Sequence, residues 1–201
     1  MQRLNDLMLR FSRSWPLFLL AALVTFGSLY LFTGVIGPRF TALTGGFPPF
    51  DLQNALTANQ VYEQLPSYPD EARRLYYLFS AIDFAFPLFA SLFLAAIAAF
   101  SLRYLWPAGY QWMTERRLWV LLLLPALFDW AENAFALTVI ANHGRELRTA
   151  AAMLVYAKLG KLSLAAVAQL LGWGLLLLAA IKWVWLRFRP PAGTGRGRRS
   201  P

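Results

Sequence analysis

The chain has 201 residues, of which 58% are hydrophobic and only 14% charged, and its mean hydropathy is +0.46. A soluble domain carries about 25% charged residues, so this composition suits lipid as the solvent. With no cysteine and a single histidine, His143, disulfides, thiolate chemistry and His-rich metal sites are excluded. The net charge of +9 comes mostly from arginine. No soluble segment carries a basic stripe, which excludes nucleic acid as a partner. Such an excess is expected instead at loops facing the cytoplasm and anionic headgroups.

A membrane span needs roughly 20 apolar residues. Four segments meet that requirement: 15–36, 76–105, 118–141 and 161–186. The sequence therefore predicts an all-α fold, a transmembrane four-helix bundle forming one domain over residues 1–188. Arg3, Arg10 and Arg13 precede the first span, as they would a signal peptide. Its apolar stretch is too long for one, and Gly37-Pro38-Arg39-Phe40 is not a cleavage sequence, so it reads as a retained anchor. A long loop follows, with turn signals at Gly45-Gly46 and Pro48-Pro49. Thr57 and Gln60 form a capping-box pattern that predicts a short helix over Ala58–Leu65. Ser67, Pro69, Asp70 and Glu71 then read as a helix start. That helix is expected to run unbroken into span two. Residues 189–201 are Pro, Gly and Arg with little to bury, and read as a disordered basic cytoplasmic tail.

Twelve Lys and Arg residues fall on the side of the two termini and seven on the other, which places both termini in the cytoplasm. Trp15, Trp106, Trp112, Trp119, Trp183 and Trp185 fall at the same interface, where amphipathic rings prefer to sit.

Ionisable residues inside spans are costly and normally face the protein interior with partners. Span three holds Asp129, Glu132 and Asn133, whose i, i+3 and i+4 spacing places them on one helical face. Span two adds Asp83. Pro87 removes the helical hydrogen bond to the Asp83 carbonyl, and Pro125 does the same to Leu121, so both spans are expected to kink beside their acids. In span four, Lys158, Lys161, Ala165, Ala168, Gln169 and Gly172 form a stripe, polar at one end and small-sided further in. The connection from Asn142 to Arg148 is short, so spans three and four form an antiparallel hairpin. If it turns near Arg145, Glu132 faces Lys158 and Asp129 faces Lys161.

A register counted from the other end conflicts with this, because Thr149 to Leu186 spans about 57 Å, too long for one perpendicular crossing. Either the hairpin stands proud of the membrane or Thr149–Tyr156 is a separate short helix with a break near Gly160. The second is the expectation, and it leaves Lys158 the less secure partner.

These residues define the candidate site: Asp83, Asp129, Glu132, Asn133, Lys158, Lys161 and Gln169 as ligand-binding groups, with no metal and no cofactor. The default reading of an intramembrane ionisable cluster is function. The expected function is the binding of a lipid-like or small amphipathic ligand in the outer half of the bundle. An acid/base isomerase acting on a lipid through Glu132 or Asp129 is the enzyme alternative. A structural or assembly subunit with buried ion pairs is the third reading. Membrane lipids and a small hydrophobic ligand are the expected partners, and homo-oligomerisation stays open.

The stretch Leu78 to Pro87, with Phe128-Asp129-Trp130-Ala131-Glu132-Asn133, resembles a group of bacterial four-span membrane proteins of unknown function. These share Asp-x-x-x-Pro in span two, Asp-x-x-Glu-Asn in span three and a lysine early in span four. The resemblance covers most of the chain after Gln53 and implies a bacterial cytoplasmic (inner) membrane, with no activity attached. In architecture the chain is also similar to the sterol-isomerase and sigma-2-receptor group, which uses intramembrane acids in a closed pocket. That similarity implies roles for Asp83, Asp129 and Glu132, though this sequence lacks that group's span-one acid at a matching place.

Overall fold

The computed structural model describes residues 2–188, and the tail expected over 189–201 lies outside them. The described chain is all helix, turn and loop, with four helical stretches long and apolar enough to cross a membrane: Trp15–Leu43, Asp70–Leu105, Leu118–Ala141 and Arg148–Phe188. This is the expected helical bundle. Leucines on its surface, such as Leu23, Leu170 and Leu177, are exposed, as a bundle facing hydrocarbon requires.

Helix α1, Gln2–Arg13, was not expected from the sequence. It is amphipathic, burying Asn5, Met8, Leu9 and Phe11 against α6 and the turn after Arg117. The first span is α2, Trp15–Tyr30, then a widened π turn, Leu31–Ile36, then α3, Gly37–Leu43. It thus stays helical seven residues past its expected end. Gly37 is required where the widened turn closes, because a Cβ there would lie 2.4 Å from the Phe32 carbonyl oxygen. Gly45 and Gly46, with φ of 71° and 123°, end α3 in the left-handed region that glycine tolerates.

The long loop carries a 3-10 turn at Phe50–Leu52 and α4, Ala58–Gln64. Both hydrogen bonds of the Thr57–Gln60 capping box are present. Helix α5, Asp70–Asp83, has Asp70 and Glu71 in its first turn, as expected. It runs past Tyr76 into span two without a break, as expected, and is interrupted only beside Asp83, where Pro87 leads one to expect a kink. The helix stops at Phe84–Ala85 and resumes as α6, Phe86–Leu105, with Pro87 in the first turn. The missing N–H of Pro87 makes that interruption inexpensive. The Trp130 indole N–H donates to the freed Phe84 carbonyl at 2.8 Å.

A short helix α7, Pro107–Glu115, joins spans two and three. Trp119, expected at the interface, is instead fully buried and donates to the Thr114 hydroxyl at 3.1 Å. The other five tryptophans of that group are exposed. Span three begins as a 3-10 turn, Leu118–Leu123, and becomes α8, Leu124–Ala141, at Pro125.

Helix α9, Arg148–Phe188, is one unbroken helix of 41 residues. The separate helix over 149–156 and the break near Gly160 are not formed. Gly160 serves close approach instead, since a Cβ there would sit 2.3 Å from the Phe128 ring. At 1.5 Å per residue α9 is about 60 Å long, twice the ~30 Å hydrocarbon core. The α8–α9 hairpin therefore projects beyond the bilayer, carrying the loop helices with it.

Two cores result. At the projecting end, here the cap, Phe40, Phe50, Tyr68 and Tyr76 pack with Val61, Ile140 and Leu154. At the other, the basic end marked by Arg13, Arg103 and Lys182, the core is built on α6, whose Ala95, Ala96, Ala98 and Ala99 allow close helix approach. A polar centre lies where the cap meets the bundle.

Candidate functional site

Helix α8 supplies the floor of that centre. Asp129, Glu132 and Asn133 share one face and are 3%, 1% and 0% exposed. The hairpin register decides their partners. Glu132 Oε1 meets Lys158 Nζ at 2.5 Å, and Asp129 Oδ1 meets Lys161 Nζ at 3.0 Å. This is the register of a hairpin turning near Arg145, and Lys158, the less secure partner on sequence grounds, is fully buried in it.

The roof is Asp51, which the sequence reading missed. The 3-10 turn at Phe50–Leu52 folds back over the hairpin. Asp51 Oδ1 accepts from Lys161 Nζ at 2.6 Å, and Glu132 Oε2 lies 2.6 Å from the same nitrogen. Lys158 donates to the backbone carbonyls of Phe50 at 2.9 Å and Asp51 at 3.2 Å. An ammonium has three N–H donors. Lys161 thus has three carboxylates within ion-pair distance, and Lys158 has one carboxylate and two carbonyls around it.

The oxygens of Asp51, Asp129 and Glu132 lie within 4.8 Å of one another, close enough to hold a metal ion. Lys161 Nζ sits among all three, so its ammonium takes the place a cation would occupy. Burial alone would push the Asp51 carboxyl up. The ammonium groups of Lys161 and Lys158 outweigh that and hold it below its ordinary value.

A second half of the centre is built on α5. Tyr76, Ser80 and Asp83 recur at i, i+4 and i+7 and are all buried. Asn133 Nδ2 donates to Asp83 Oδ2 at 2.7 Å, which joins this half to α8. The Tyr76 hydroxyl, the Ser80 hydroxyl and the Asn133 carbonyl oxygen are buried and find no hydrogen-bond partner among the described residues. Each such group costs roughly 1–3 kcal/mol when left unsatisfied. Four carboxyls thus meet two ammonium groups, and full ionisation would leave a buried double negative charge.

Of the seven expected residues, six come together. Gln169 does not: it is exposed on α9, eight positions beyond Lys161. Its neighbour Ala168 takes the inward position, and Gly172 packs against Leu94. The stripe expected on span four is real, but Gln169 lies one residue, about 100°, off its centre. No strong sequence signal marks Asp51. It is a loop acid whose partners lie more than 100 positions away.

Fold and centre together define an all-α membrane protein of four spans with a buried carboxylate–lysine centre beneath a loop-built cap. No family model, curated protein or solved structure matches the chain.

Proposed function

We propose that this chain is a membrane binding protein for a lipid-like or small amphipathic ligand. Its polar end would be received by the α5 half of the centre: Asp83, Asn133, Tyr76 and Ser80. The observation that carries this reading is the set of buried, unpartnered oxygens around a carboxyl that the lysines do not contact. A head bearing hydroxyl or amine donors would satisfy them and offset the excess of carboxyls. The break at Phe84–Ala85 supports lateral access, since both residues are exposed toward the bilayer beside Asp83. The Lys and Arg bias supports an orientation with both termini cytoplasmic, and the resemblance of the span-two and span-three motifs supports a bacterial inner membrane.

The test is native mass spectrometry of protein purified in mild detergent. Wild type is expected to retain a small amphiphile and Asp83→Asn to lose it while remaining folded. A wild type that retains nothing, or equal retention in the variant, would overturn the reading.

The lysine half favours a structural role. Its ammonium groups are fully engaged, and they tie the first loop to the α8–α9 hairpin. The enzyme alternative needs Glu132 or Asp129 free to exchange a proton with substrate, and both are held by lysine. The structural reading predicts that Glu132→Gln lowers stability without changing what is retained.

A further inference from the structure

At the basic end, a cavity of about 500 Å³ opens between the α1–α2 junction, α6 and α9. This falls within the ~300–1,000 Å³ range of ligand pockets. Phe93, Ile97, Phe100 and Arg103 line it from one face of α6 at helical spacing. The rings of Phe18 and Trp173 flank it, 5.2 and 6.2 Å from that of Phe93. The deep part is thus aromatic and aliphatic.

The mouth is different. Arg13 and Arg103 both line the cavity. Arg13 donates one bond to the Tyr110 hydroxyl at 2.9 Å, and Arg103 rests over the Phe100 ring at 5.9 Å. Among the described residues, neither guanidinium has a carboxylate within ion-pair distance. Exposed Trp15 and Trp106 place this end at a membrane–water interface.

We propose that this cavity binds one anionic phospholipid of the surrounding leaflet. The headgroup phosphate lies between Arg13 and Arg103, and an acyl chain runs over Phe93 and Ile97 toward Trp173. Lipid wets every outer face of the bundle. What singles out this place is an apolar hollow beneath two uncompensated guanidinium groups, a pairing that selects an apolar chain joined to a negative head.

The test titrates the detergent-purified full chain with phosphatidylglycerol or with phosphatidylcholine, whose headgroup has no net charge, and reads adducts by native mass spectrometry. Phosphatidylglycerol is expected to bind the tighter of the two. Its binding should weaken roughly fivefold for each arginine replaced, in Arg13→Gln and Arg103→Gln. Binding of phosphatidylcholine, whose choline offsets the charge of its phosphate, should weaken less. Among the described residues Arg103 has no hydrogen-bond or ion-pair partner, so Arg103→Gln carries the test even if loss of the Tyr110 bond unfolds Arg13→Gln. Equal binding of the two lipids, or unchanged phosphatidylglycerol binding in Arg103→Gln, overturns the proposal.

Discussion

The two ends of the bundle handle cationic side chains in opposite ways. At the cap end, Lys158 and Lys161 are drawn inside, and each ammonium is surrounded by three protein oxygens. At the basic end, Arg13 and Arg103 stay at the surface with no carboxylate beside them among the described residues. The cores follow suit. The cap core gathers aromatic rings from separate loops and helices, whereas the basic-end core is centred on one helix, α6, whose four alanines let α1, Tyr110 and Trp119 pack around it. An alanine-rich face packs closely without help. A cap assembled from loop segments needs long-range ties, and the buried ion pairs supply them. Charge at the cap is thus a fastening, and charge at the basic end is a surface left for something else to meet.

The sharpest way to break that comparison is to remove the central cation. Lys161→Met leaves Asp51, Asp129 and Glu132 facing one another without their shared ammonium. Removing one partner of a buried pair costs about 3–5 kcal/mol, and this variant is expected at the upper end of that range in a denaturation series in detergent. Pairing Lys158→Met with Glu132→Gln should recover part of the loss seen in Lys158→Met alone, because the stranded charge is gone. A loss below about 1 kcal/mol for Lys161→Met, the size of an exposed pair, would show that the cap does not depend on its ion pairs.

Asp51→Asn sharpens the comparison by cutting only the tie between loop and hairpin. The expected cost is about 1–3 kcal/mol, with faster amide exchange over residues 48–56. Its pH dependence has a fixed sign. The folded Asp51 carboxyl lies below its ordinary value. Its contribution is therefore present above the unfolded carboxylate value of about 4 and is lost as pH falls through the lower, folded value. The stability difference between wild type and Asp51→Asn should shrink on acidification through that window. A difference that stays constant would remove the ionic tie from the explanation.

Legibility differed between the two ends for the same reason. The spans could be read because a 20-residue apolar run is a local signal, and the Lys158–Glu132 and Lys161–Asp129 pairs because one short turn fixes a hairpin register. Helix α1 is only 12 residues long, and no apolar run of span length passes through it. Asp51 could not be read because its partners lie more than 100 positions away in sequence. Gly160 misled in the other direction. A glycine within a long helix is a reasonable site for a break, but the Phe128 ring that fills the space beside it comes from another helix. Gly160→Val tests that account. It should cost about 2 kcal/mol by overpacking, and most of that cost should vanish in a Phe128→Ala background. An equal cost in both backgrounds would assign the loss to the backbone of α9 instead.

The smallest expected effect asks whether the cap also rests on purely local ties. In the Thr57–Gln60 box, the Thr57 hydroxyl accepts from the Gln60 N–H at 3.3 Å, and Gln60 Oε1 accepts from the Thr57 N–H at 2.9 Å. Both bonds are exposed, so water can replace them, and Thr57→Ala should cost only about 1 kcal/mol. Yet α4 buries Val61 fully in the cap core and packs on α9, whose Ala151 and Leu154 share that core. If long-range charge holds the cap, Thr57→Ala will speed amide exchange within residues 58–64 and leave residues 48–56 unchanged. If both stretches loosen together, and as much as in Asp51→Asn, the cap is one cooperative unit nucleated by its short helix. The ion pairs would then follow the cap's folding rather than cause it.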